Sequence, residues 1–528
     1  MALSGAHLIG LVVLVLLLVV RRAQRQLELR KLATAHGCKP IRPAHNKLPL
    51  GLDRKHKILT HKGNPLDDLL TTRFKEVGGW LYQDASWTEN TPILCAEPEA
   101  LKAILATSFK DWSMEPYRLA ALSPWIGTGI FNSSHDGAHS PWAAARSLIR
   151  PSFARDDIYD LSLLERDVQH FFEALGTGAD GWTAAPNLHP LIRRFSLDTI
   201  TTFFCGGCVE AQRNSLAPAA AKTPAAQLSA DLENAFDECN RVAAMRFKVP
   251  PLYWLFNPRS FQEACRHVKA FGLSRVDQAI AQVKAAGAGA DADIAAADVL
   301  QYLASKTGDR VLMRDVVSQM VFAGVDTTTS MLGFTLLELA RTPGGWARLR
   351  AELAADGMGG DDPAALSAPK LKSCRFLQNC LAETLRLYPG IPFNSRHAVR
   401  DTVLPVGGGP DGRDPVLVPR GTVVRYSVYV MHRREDLYGP DALQWNPDRW
   451  NGRRHDWSYA PFSGGPRICL GQKFSLIEGA YCLARFAQHF DQVEGVLPPR
   501  DAPVPSRVDT ALFPQQGVPL RFRLTKRE

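Results

Sequence analysis

PFSGGPRICLGQKF, residues 461–474, places one cysteine, Cys469, among three glycines and two prolines. Glycine permits backbone torsions and close approaches that other residues exclude. Apolar residues recur at helical spacing from Phe474 to Phe486, which predicts a helix directly after the loop. The free N–H groups at the start of that helix, together with the guanidinium of Arg467, favour a sulfur anion. The segment therefore predicts a thiolate presented from a loop at a helix N-terminus.

The composition is that of a globular protein with a large core, since the chain has 528 residues, of which 45% are apolar and 22% charged. The net charge of +9 is spread along the chain, which fits a membrane surface or an acidic protein partner at least as well as nucleic acid. No nucleic-acid motif accompanies it, so we expect no nucleic-acid partner. The ten cysteines are irregularly spaced, which predicts reduced thiols rather than a disulfide framework.

Residues 1–22 are predicted to form a transmembrane signal anchor. No charged residue occurs from Ala2 to Val20, and Arg21 and Arg22 follow directly. About 20 helical residues span the hydrocarbon core of a bilayer. A cleaved signal peptide would need a basic region before the apolar run and a small-residue cleavage site after it, and the sequence has neither. The basic flank after the run places the rest of the chain in the cytosol.

The rest of the chain divides into a linker and one large domain. Residues 23–50 form the predicted linker, which begins with a charged stretch, helical from Arg21 to Ala35, and continues as a stiff proline-containing connector. Residues 51–528 form one large predicted domain. Helical periodicity dominates the middle, and its longest segment, from Gly308 to Pro343, has an apolar centre typical of an interior helix. The predicted fold class is mainly α with small β-sheets. Strands are predicted only late in the chain, at Thr402–Pro405, Val416–Val418 and Thr422–Tyr429.

The segment Ala323–Thr328, AGVDTT, interrupts the apolar centre of the longest helix. Helix propensity would favour Leu or Ala at these positions, and Thr hydroxyls can instead bond the carbonyl four residues earlier. A buried Asp is costly unless it has a partner or a function. Apolar residues at 320–322 and 331–334 flank the segment, so we expect it to form part of an interior site.

Glu383 and Arg386 form an ExxR pair one helical turn apart. A solvated pair of this spacing would contribute only about 0.2–0.5 kcal/mol. Because Leu381, Leu385 and Leu387 surround it, we expect a buried structural pair instead.

Together these motifs resemble the cytochrome P450 family of haem-thiolate monooxygenases, in which the glycine-rich cysteine loop binds haem. The resemblance implies a mainly helical P450 fold, haem b (iron protoporphyrin IX) as cofactor, O2 as co-substrate and Cys469 as the iron ligand. It also implies that Gly324 leaves room over the iron, Thr327 hydrogen-bonds the oxygen and Asp326 relays protons. Arg449 resembles the third member of a structural triad with Glu383 and Arg386. The haem-binding positions implied by the resemblance are Trp142, Arg146, Arg396, Phe462, Gly465, Arg467, Cys469 and Gly471.

Several stretches more closely resemble the fungal subfamily that hydroxylates n-alkanes and fatty acids, which implies terminal (ω) hydroxylation of an apolar chain. Phe393 occupies a position where alkane oxidisers often carry a basic residue, so a tailoring oxidase of a fungal polyketide or terpenoid pathway is the alternative. A haem-thiolate isomerase or dehydratase that needs no reductase is the remoter one, and the intact pair of Asp326 and Thr327 argues against it. The expected substrate-pocket segments are residues 112–131, 236–247, 391–393 and 510–513.

The sequence carries no flavin or dinucleotide fingerprint, since the glycines at 407–409 precede Pro410 rather than a helix. The resemblance therefore implies that electrons come from NADPH through a separate NADPH–cytochrome P450 reductase, with cytochrome b5 as an optional second donor. It also implies a single-pass protein of the endoplasmic reticulum membrane with a cytosolic catalytic domain and an apolar small-molecule substrate.

Overall fold

The computed structural model describes residues 5–84, 91–134, 140–154, 160–216, 223–248, 250–286 and 298–525. Helices make up most of this part of the chain, as predicted. In chain order, the α-helices are α1 Gly5–Ala35, α2 Leu52–Thr60, α3 Thr72–Val77, α4 Pro98–Lys102, α5 Pro116–Ile126, α6 Pro141–Ala154, α7 Leu161–Leu175, α8 His189–Cys205, α9 Ala211–Ser215, α10 Pro224–Lys248, α11 Arg259–Ala286, α12 Val299–Lys306, α13 Arg310–Arg341, α14 Gly345–Ala355, α15 Ala368–Ser373, α16 Arg375–Leu387, α17 Val428–Met431, α18 Glu435–Tyr438 and α19 Gln472–His489.

The longest helix, α13, runs for 32 residues, roughly 48 Å at 1.5 Å per residue. Asp309 caps its first turn, where the carboxylate accepts hydrogen bonds from the backbone N–H groups of Val311 and Leu312 at 3.0 and 2.9 Å. The helix ends before Pro343, which cannot continue it. Its apolar centre is long enough to cross a membrane, but 83% of that stretch is buried inside the protein. The helix therefore lies in the interior of the protein.

The strands form one sheet of five strands, in the order β1-β2-β7-β4-β3, and three two-stranded sheets, β5 with β6, β8 with β11 and β9 with β10. Among the paired strands of the described residues, only β2 and β7 run parallel to each other. The strands are β1 Leu81–Gln83, β2 Ile93–Cys95, β3 Trp112–Ser113, β4 Asn394–Ala398, β5 Thr402–Gly408, β6 Asp414–Val418, β7 Val423–Tyr426, β8 Phe490–Gly495, β9 Ser506–Val508, β10 Leu512–Pro514 and β11 Leu520–Leu524.

One predicted strand is shorter than expected. The predicted segment Thr422–Tyr429 forms strand β7 only to Tyr426, after which α17 begins. Ser427 caps that helix, because its hydroxyl accepts a hydrogen bond from the backbone N–H of Val430 at 3.2 Å. The local cap outweighs the β propensity of the valines that follow.

Two apolar cores meet along α13. Its first half, from Met313 to Val325, packs in one core with residues of α5, α8, α10 and α11. Its second half, from Met331 to Leu339, packs in the other with residues of α16, α19 and the five-stranded sheet. The polar segment Ala323–Thr328 therefore lies where the two cores adjoin.

The charged stretch after the apolar run is helical, as expected. Helix α1 continues from the apolar run to Ala35. Residues 39–41 then bond the hairpin of β5 and β6, with the N–H of Lys39 donating to the carbonyl of Pro415 at 2.9 Å. Arg25 of α1 forms an ion pair with Asp401. These contacts attach the N-terminal region directly to the part of the chain around the β5–β6 hairpin.

Candidate active site

A cavity of about 280 Å³ lies at the junction of the two cores. The polar segment of α13 and the cysteine loop both line it, so residues almost 150 positions apart in the sequence face one space. The cavity brings together most of the predicted site residues, namely Trp142, Arg146, Gly324, Asp326, Thr327, Arg396, Phe462, Arg467, Cys469 and Gly471. Gly465 instead lines an adjoining cleft, which shares Cys469 with the cavity.

The cysteine loop is closed by its own backbone. The N–H of Cys469 donates to the carbonyl of Phe462 at 3.0 Å. Gly465 has φ +65°, and a Cβ on it would lie 1.9 Å from the carbonyl oxygen of Leu105, so no other residue fits there. These contacts hold the loop in one conformation against the neighbouring chain segment.

Cys469 is exposed as a residue, while burial of its thiol raises the pKa of that group. The N–H groups of Gly471 and Gln472 and the charge of Arg146 act in the opposite direction. Both N–H donors belong to the start of α19, as the sequence predicted. Cys469 therefore lines the cavity, and the N–H groups at the start of α19 stabilise the charged form of its sulfur.

Four arginines line one part of the cavity: Arg118, Arg146, Arg396 and Arg467. Burial and the neighbouring arginines lower the pKa of Arg467 to about 9 and that of Arg118 to about 10. The Nε atoms of these two residues are buried and lack a hydrogen-bond partner. Among the described residues, no carboxylate forms an ion pair with any of the four. The described residues provide no anion for these four arginines. The cluster is therefore arranged to bind the negative charge of a ligand.

Trp142 lies beside this cluster. The guanidinium of Arg467 stands over its ring, 4.6 Å from the centroid, and that of Arg146 lies 5.8 Å from it. Arg146 also donates to the carbonyl of Ile468 at 3.0 Å, which links α6 to the cysteine loop. The predicted WxxxR pair thus supports the loop and the arginine cluster together.

On α13, the Thr327 hydroxyl donates to the carbonyl of Ala323 at 2.7 Å, the i−4 bond that the sequence indicated. The space left by Gly324 is filled by α8, since a Cβ would lie 2.8 Å from Ile200. The structure thus gives Gly324 a role in helix packing, and its role over the iron stays a prediction. Asp326 is buried and bound by Arg193 at 3.3 Å and by Asn240 at 2.8 Å.

The ExxR pair is fully buried. Arg386 makes a two-pronged bond to Glu383, 2.8 Å at each contact, and donates to the carbonyls of His432 and Ala442. Arg449 reaches the same carboxylate at 3.2 Å, as the resemblance implied for a structural triad. Trp450 adds a bond to Glu383 at 3.0 Å. The triad ties α16 to the segment that precedes the cysteine loop.

A family model described as Cytochrome P450 matches residues 64–512 of the chain. The chain belongs to the cytochrome P450 family. The cytochrome P450 monooxygenase milC of Cordyceps militaris is 48% identical over 98% of this chain and 99% of its own length. The monooxygenase alt2 of Alternaria solani is 35% identical over 93% of each chain, and cytochrome P450 52A3-A of Candida maltosa is 37% identical over 76% of each.

Membership of this family makes the protein a haem-thiolate monooxygenase that uses haem iron, O2 and electrons supplied by a reductase. The residues of the cavity fit this cofactor. A cysteine sulfur is a ligand of haem iron, and an arginine cluster without carboxylates suits the two propionates of the porphyrin. Cys469 would bind the iron, and Arg118, Arg146, Arg396 and Arg467 would hold the propionates.

Sequence reasoning missed Arg118, Arg193 and Asn240. Arg118 lies on α5 and reaches the cavity beside Arg396, while Arg193 and Asn240 lie on α8 and α10 and bind Asp326. None of them belongs to a short motif. A buried Asp in the middle of an apolar helix did signal that a partner was needed, but the partner's position depends on how three helices pack.

The remaining wall of the cavity is apolar. Met114, Ile130, Phe131, Ile391 and Phe393 line it, and these residues fall within two of the four expected pocket segments, with Thr510 and Ala511 from a third. Of the 236–247 segment, Phe236 and Asn240 line a separate small cavity. Outside the arginine cluster, the described lining residues of the main cavity include no Lys, Arg or His.

Proposed function

We propose that this monooxygenase is a tailoring oxidase that hydroxylates a neutral, apolar polyketide or terpenoid intermediate. The observation that carries the proposal is Phe393, an apolar side chain at the cavity that is 44% exposed. A fatty acid needs a cation for its carboxylate, and the arginines of the cavity would be taken by the haem propionates. The longer and closer match to milC than to 52A3-A supports the same choice.

Within this proposal, each group of the chain has a stated task. When bound, haem supplies the iron that activates O2 and inserts one oxygen atom into a C–H bond. Cys469 donates electron density to the iron, and the arginine cluster orients the porphyrin. Thr327 offers a hydroxyl to the reaction space, Asp326 supplies protons from its buried position, and the apolar wall excludes water from the substrate.

Hydroxylation of n-alkanes or fatty acids is the second candidate. Two Candida maltosa proteins, cytochromes P450 52A3-A and 52A5, are 37% and 38% identical over about three quarters of this chain, which favours that reading. For fatty acids, this second candidate differs from the proposal in requiring a site for the carboxylate head group.

The experiment uses full-length protein with NADPH–cytochrome P450 reductase and mass spectrometry of the products. Matched pairs of probes, dodecanoic acid with its methyl ester and dodecane with a terpenoid hydrocarbon, separate charge from shape. We expect the neutral probes to shift the haem spectrum and dodecanoic acid not to do so. The Phe393→Arg variant should gain binding of dodecanoic acid, and Phe393→Leu is its matched control. Efficient ω-hydroxylation of dodecanoic acid by the natural protein would contradict the proposal.

We also propose that α1 attaches the protein to a membrane and that a flavoprotein reductase supplies its electrons. The apolar side chains of α1 from Ile9 to Val20 are half-exposed or more in the structure, which supports a bilayer as their surroundings. Arg150 and Lys473 line the cleft that adjoins Cys469, which suits an acidic flavoprotein. We therefore place the protein at the endoplasmic reticulum membrane with NADPH–cytochrome P450 reductase as its electron donor.

A further inference from the structure

The hairpin of β9 and β10 brings a polar side chain to the otherwise apolar wall of the main cavity. Residues 509–511 connect its two strands, and Thr510 lines the cavity. The hairpin is held in place by the N–H of Leu512, which donates to the carbonyl of Gly390 at 3.0 Å. Gly390 lines the same cavity, directly before Ile391. A backbone contact therefore fixes the position of Thr510 at the substrate wall.

The direction of the hydrogen bonds around Thr510 is set from α13. Arg193 of α8 pairs with Asp326 at 3.3 Å, and a guanidinium at this distance favours the ionised carboxylate. An ionised carboxylate can only accept hydrogen bonds. The part of the Asn240 side chain that faces Asp326, at 2.8 Å, is therefore the NH2 group. The amide oxygen of Asn240 is the atom that remains for Thr510.

The amide oxygen of Asn240 lies 2.7 Å from the hydroxyl of Thr510. Because this oxygen has no proton, the hydroxyl must donate to it. A hydroxyl has one proton and two acceptor lone pairs. Within the residues that the structure describes, no donor bonds the Thr510 oxygen. Thr510 therefore meets a ligand in the cavity as a hydrogen-bond acceptor only.

An acceptor at this position discriminates between the functional groups of a ligand. The oxygen of a ketone, an ester or a carboxylate presents only lone pairs to Thr510, so the contact has no proton. Both oxygens would then lose the water that bonded them and gain nothing in return. A neutral hydroxyl supplies the missing proton. The connected side chains of Asp326, Asn240 and Thr510 therefore favour an alcohol over a carbonyl compound of the same shape.

We propose that Thr510 is a specificity-determining residue that accepts a hydrogen bond from a hydroxyl group of the substrate. Asn240 is the positioning residue that directs the proton of Thr510 away from the substrate. The substrate class is then a neutral polyketide or terpenoid alcohol, held by its hydroxyl at Thr510 and hydroxylated at another carbon. The inference rests on the proposed function, because it takes the substrate to be neutral and apolar.

The test measures binding to the ferric, haem-loaded, full-length enzyme without turnover. Dodecan-2-ol and dodecan-2-one share one skeleton, and only the alcohol carries a hydrogen-bond donor. The shift of the haem spectrum on titration gives a dissociation constant for each, and the readout is the ratio of ketone to alcohol. A neutral hydrogen bond changes a binding constant roughly 2- to 10-fold, so this ratio should fall by about that factor in Thr510→Val. Thr510→Ser keeps the hydroxyl and should keep the ratio.

Asn240→Leu tests the direction of the hydrogen bonds. Without the amide oxygen, the Thr510 hydroxyl is free to donate, so the ketone should bind more tightly and the alcohol should lose its advantage. Equal weakening of both ligands would overturn the role of Asn240, because it would indicate only a structural effect. Arg241→Gln changes the neighbouring exposed residue of α10 and should match the natural protein.

A ratio of dissociation constants that is unchanged in Thr510→Val, in protein with a thiolate-type CO spectrum, would overturn the proposal. So would a shift of the haem spectrum toward the low-spin form with the alcohol, since that shift reports a hydroxyl bound to iron rather than to Thr510. The two Thr510 variants decide the question even if Asn240→Leu loses haem. These outcomes are distinct from failure of the proposed function, which efficient ω-hydroxylation of dodecanoic acid would show.

Discussion

Arg118 and Arg467 carry buried positive charge beside one another, and this arrangement opposes folding of the protein unless an anion binds. Burial is the main cause of the lowered pKa of both groups, and repulsion from neighbouring arginines adds to it. The propionates of haem would provide the missing negative charge, so these residues should contribute more to cofactor binding than to the fold.

We expect Arg118→Gln to weaken haem binding. A hydrogen bond to a charged group contributes about 1.5–3 kcal/mol, which corresponds to roughly 10- to 150-fold in affinity. The rate of haem transfer from the enzyme to apomyoglobin measures the effect. Arg310→Gln, which removes a surface arginine paired with Asp277, is the matched control and should leave the transfer rate unchanged. Equal rates for both variants would contradict the assignment of Arg118.

Glu383 is also important as a single residue, but it stabilises the fold rather than binding the cofactor. Its carboxylate accepts bonds from Arg386, Arg449 and Trp450, and it is fully buried. Glu383→Gln should lower the free energy of unfolding by about 3–5 kcal/mol, because Arg386 keeps its buried charge without a countercharge. Urea denaturation measures the loss. Glu352→Gln breaks an exposed pair with Arg348 and should cost less than about 1 kcal/mol, and a similar cost at both sites would refute the structural role.

For single residues, the sequence was sufficient to predict contacts that depend on a short motif. Cys469, Gly465 and the pair Glu383–Arg386 lie in short motifs, and the structure gives each of them the contacts that its motif indicates. Arg118 was not predictable, because the meaning of that arginine depends on Arg396, which lies far along the chain. A single guanidinium in a sequence does not reveal whether a carboxylate or a cofactor will face it.

Among the elements, α8, α13 and α19 meet at one buried carboxyl. Glu478 of α19 accepts hydrogen bonds from Thr199 of α8 and, at 3.2 Å, from Thr328 of α13. Burial raises the pKa of Glu478 to about 8, and the charge of Asp167 acts in the same direction. The three helices are therefore joined by a carboxyl that holds a proton at neutral pH.

This proton makes stability depend on pH. An unfolded Glu releases its proton near pH 4.3, so between about pH 4.3 and 8 the folded state binds a proton that the unfolded state has lost. The free energy of unfolding therefore falls as pH rises through this window. A glutamine side chain cannot ionise, so the stability of Glu478→Gln relative to the natural protein should rise from about pH 5 to 8 in urea denaturation. Glu478→Leu should show the same pH trend at lower stability, and a pH-independent difference for both variants would refute the assignment.

Element boundaries were predicted well where periodicity is long. The pattern from Gly308 to Pro343 corresponds to α13, Arg310–Arg341. Short elements were less predictable, as the cap at Ser427 shows, because one hydroxyl decides between strand and helix over four residues. The charged stretch from Arg21 to Ala35 was also expected to be helical, and α1 ends at Ala35.

At the scale of the whole molecule, α1 is in direct contact with the rest of the protein and is not connected to it by the linker alone. The ion pair between Arg25 and Asp401 lies just beyond the apolar run, and Asp401 also accepts a bond from the N–H of Arg420 at 2.8 Å. A helix that is continuous from the apolar run into this contact fixes the angle between the two parts. Membrane attachment would therefore set the orientation of the cavity relative to the bilayer.

The apolar half of α1 should decide membrane attachment while leaving the haem site intact. Leu14 and Leu17 are more than half exposed, so no packing inside the protein depends on them. The double variant Leu14→Arg, Leu17→Arg would place two charges near the centre of the bilayer at about 2.5–3.5 kcal/mol each. We expect it to move from the carbonate-resistant membrane fraction to the soluble fraction while keeping a thiolate-type CO spectrum. Leu27→Arg, at a similarly exposed position beyond the basic flank, should remain in the membrane fraction, and release of this control to the same extent would show that α1 does not span the bilayer as proposed.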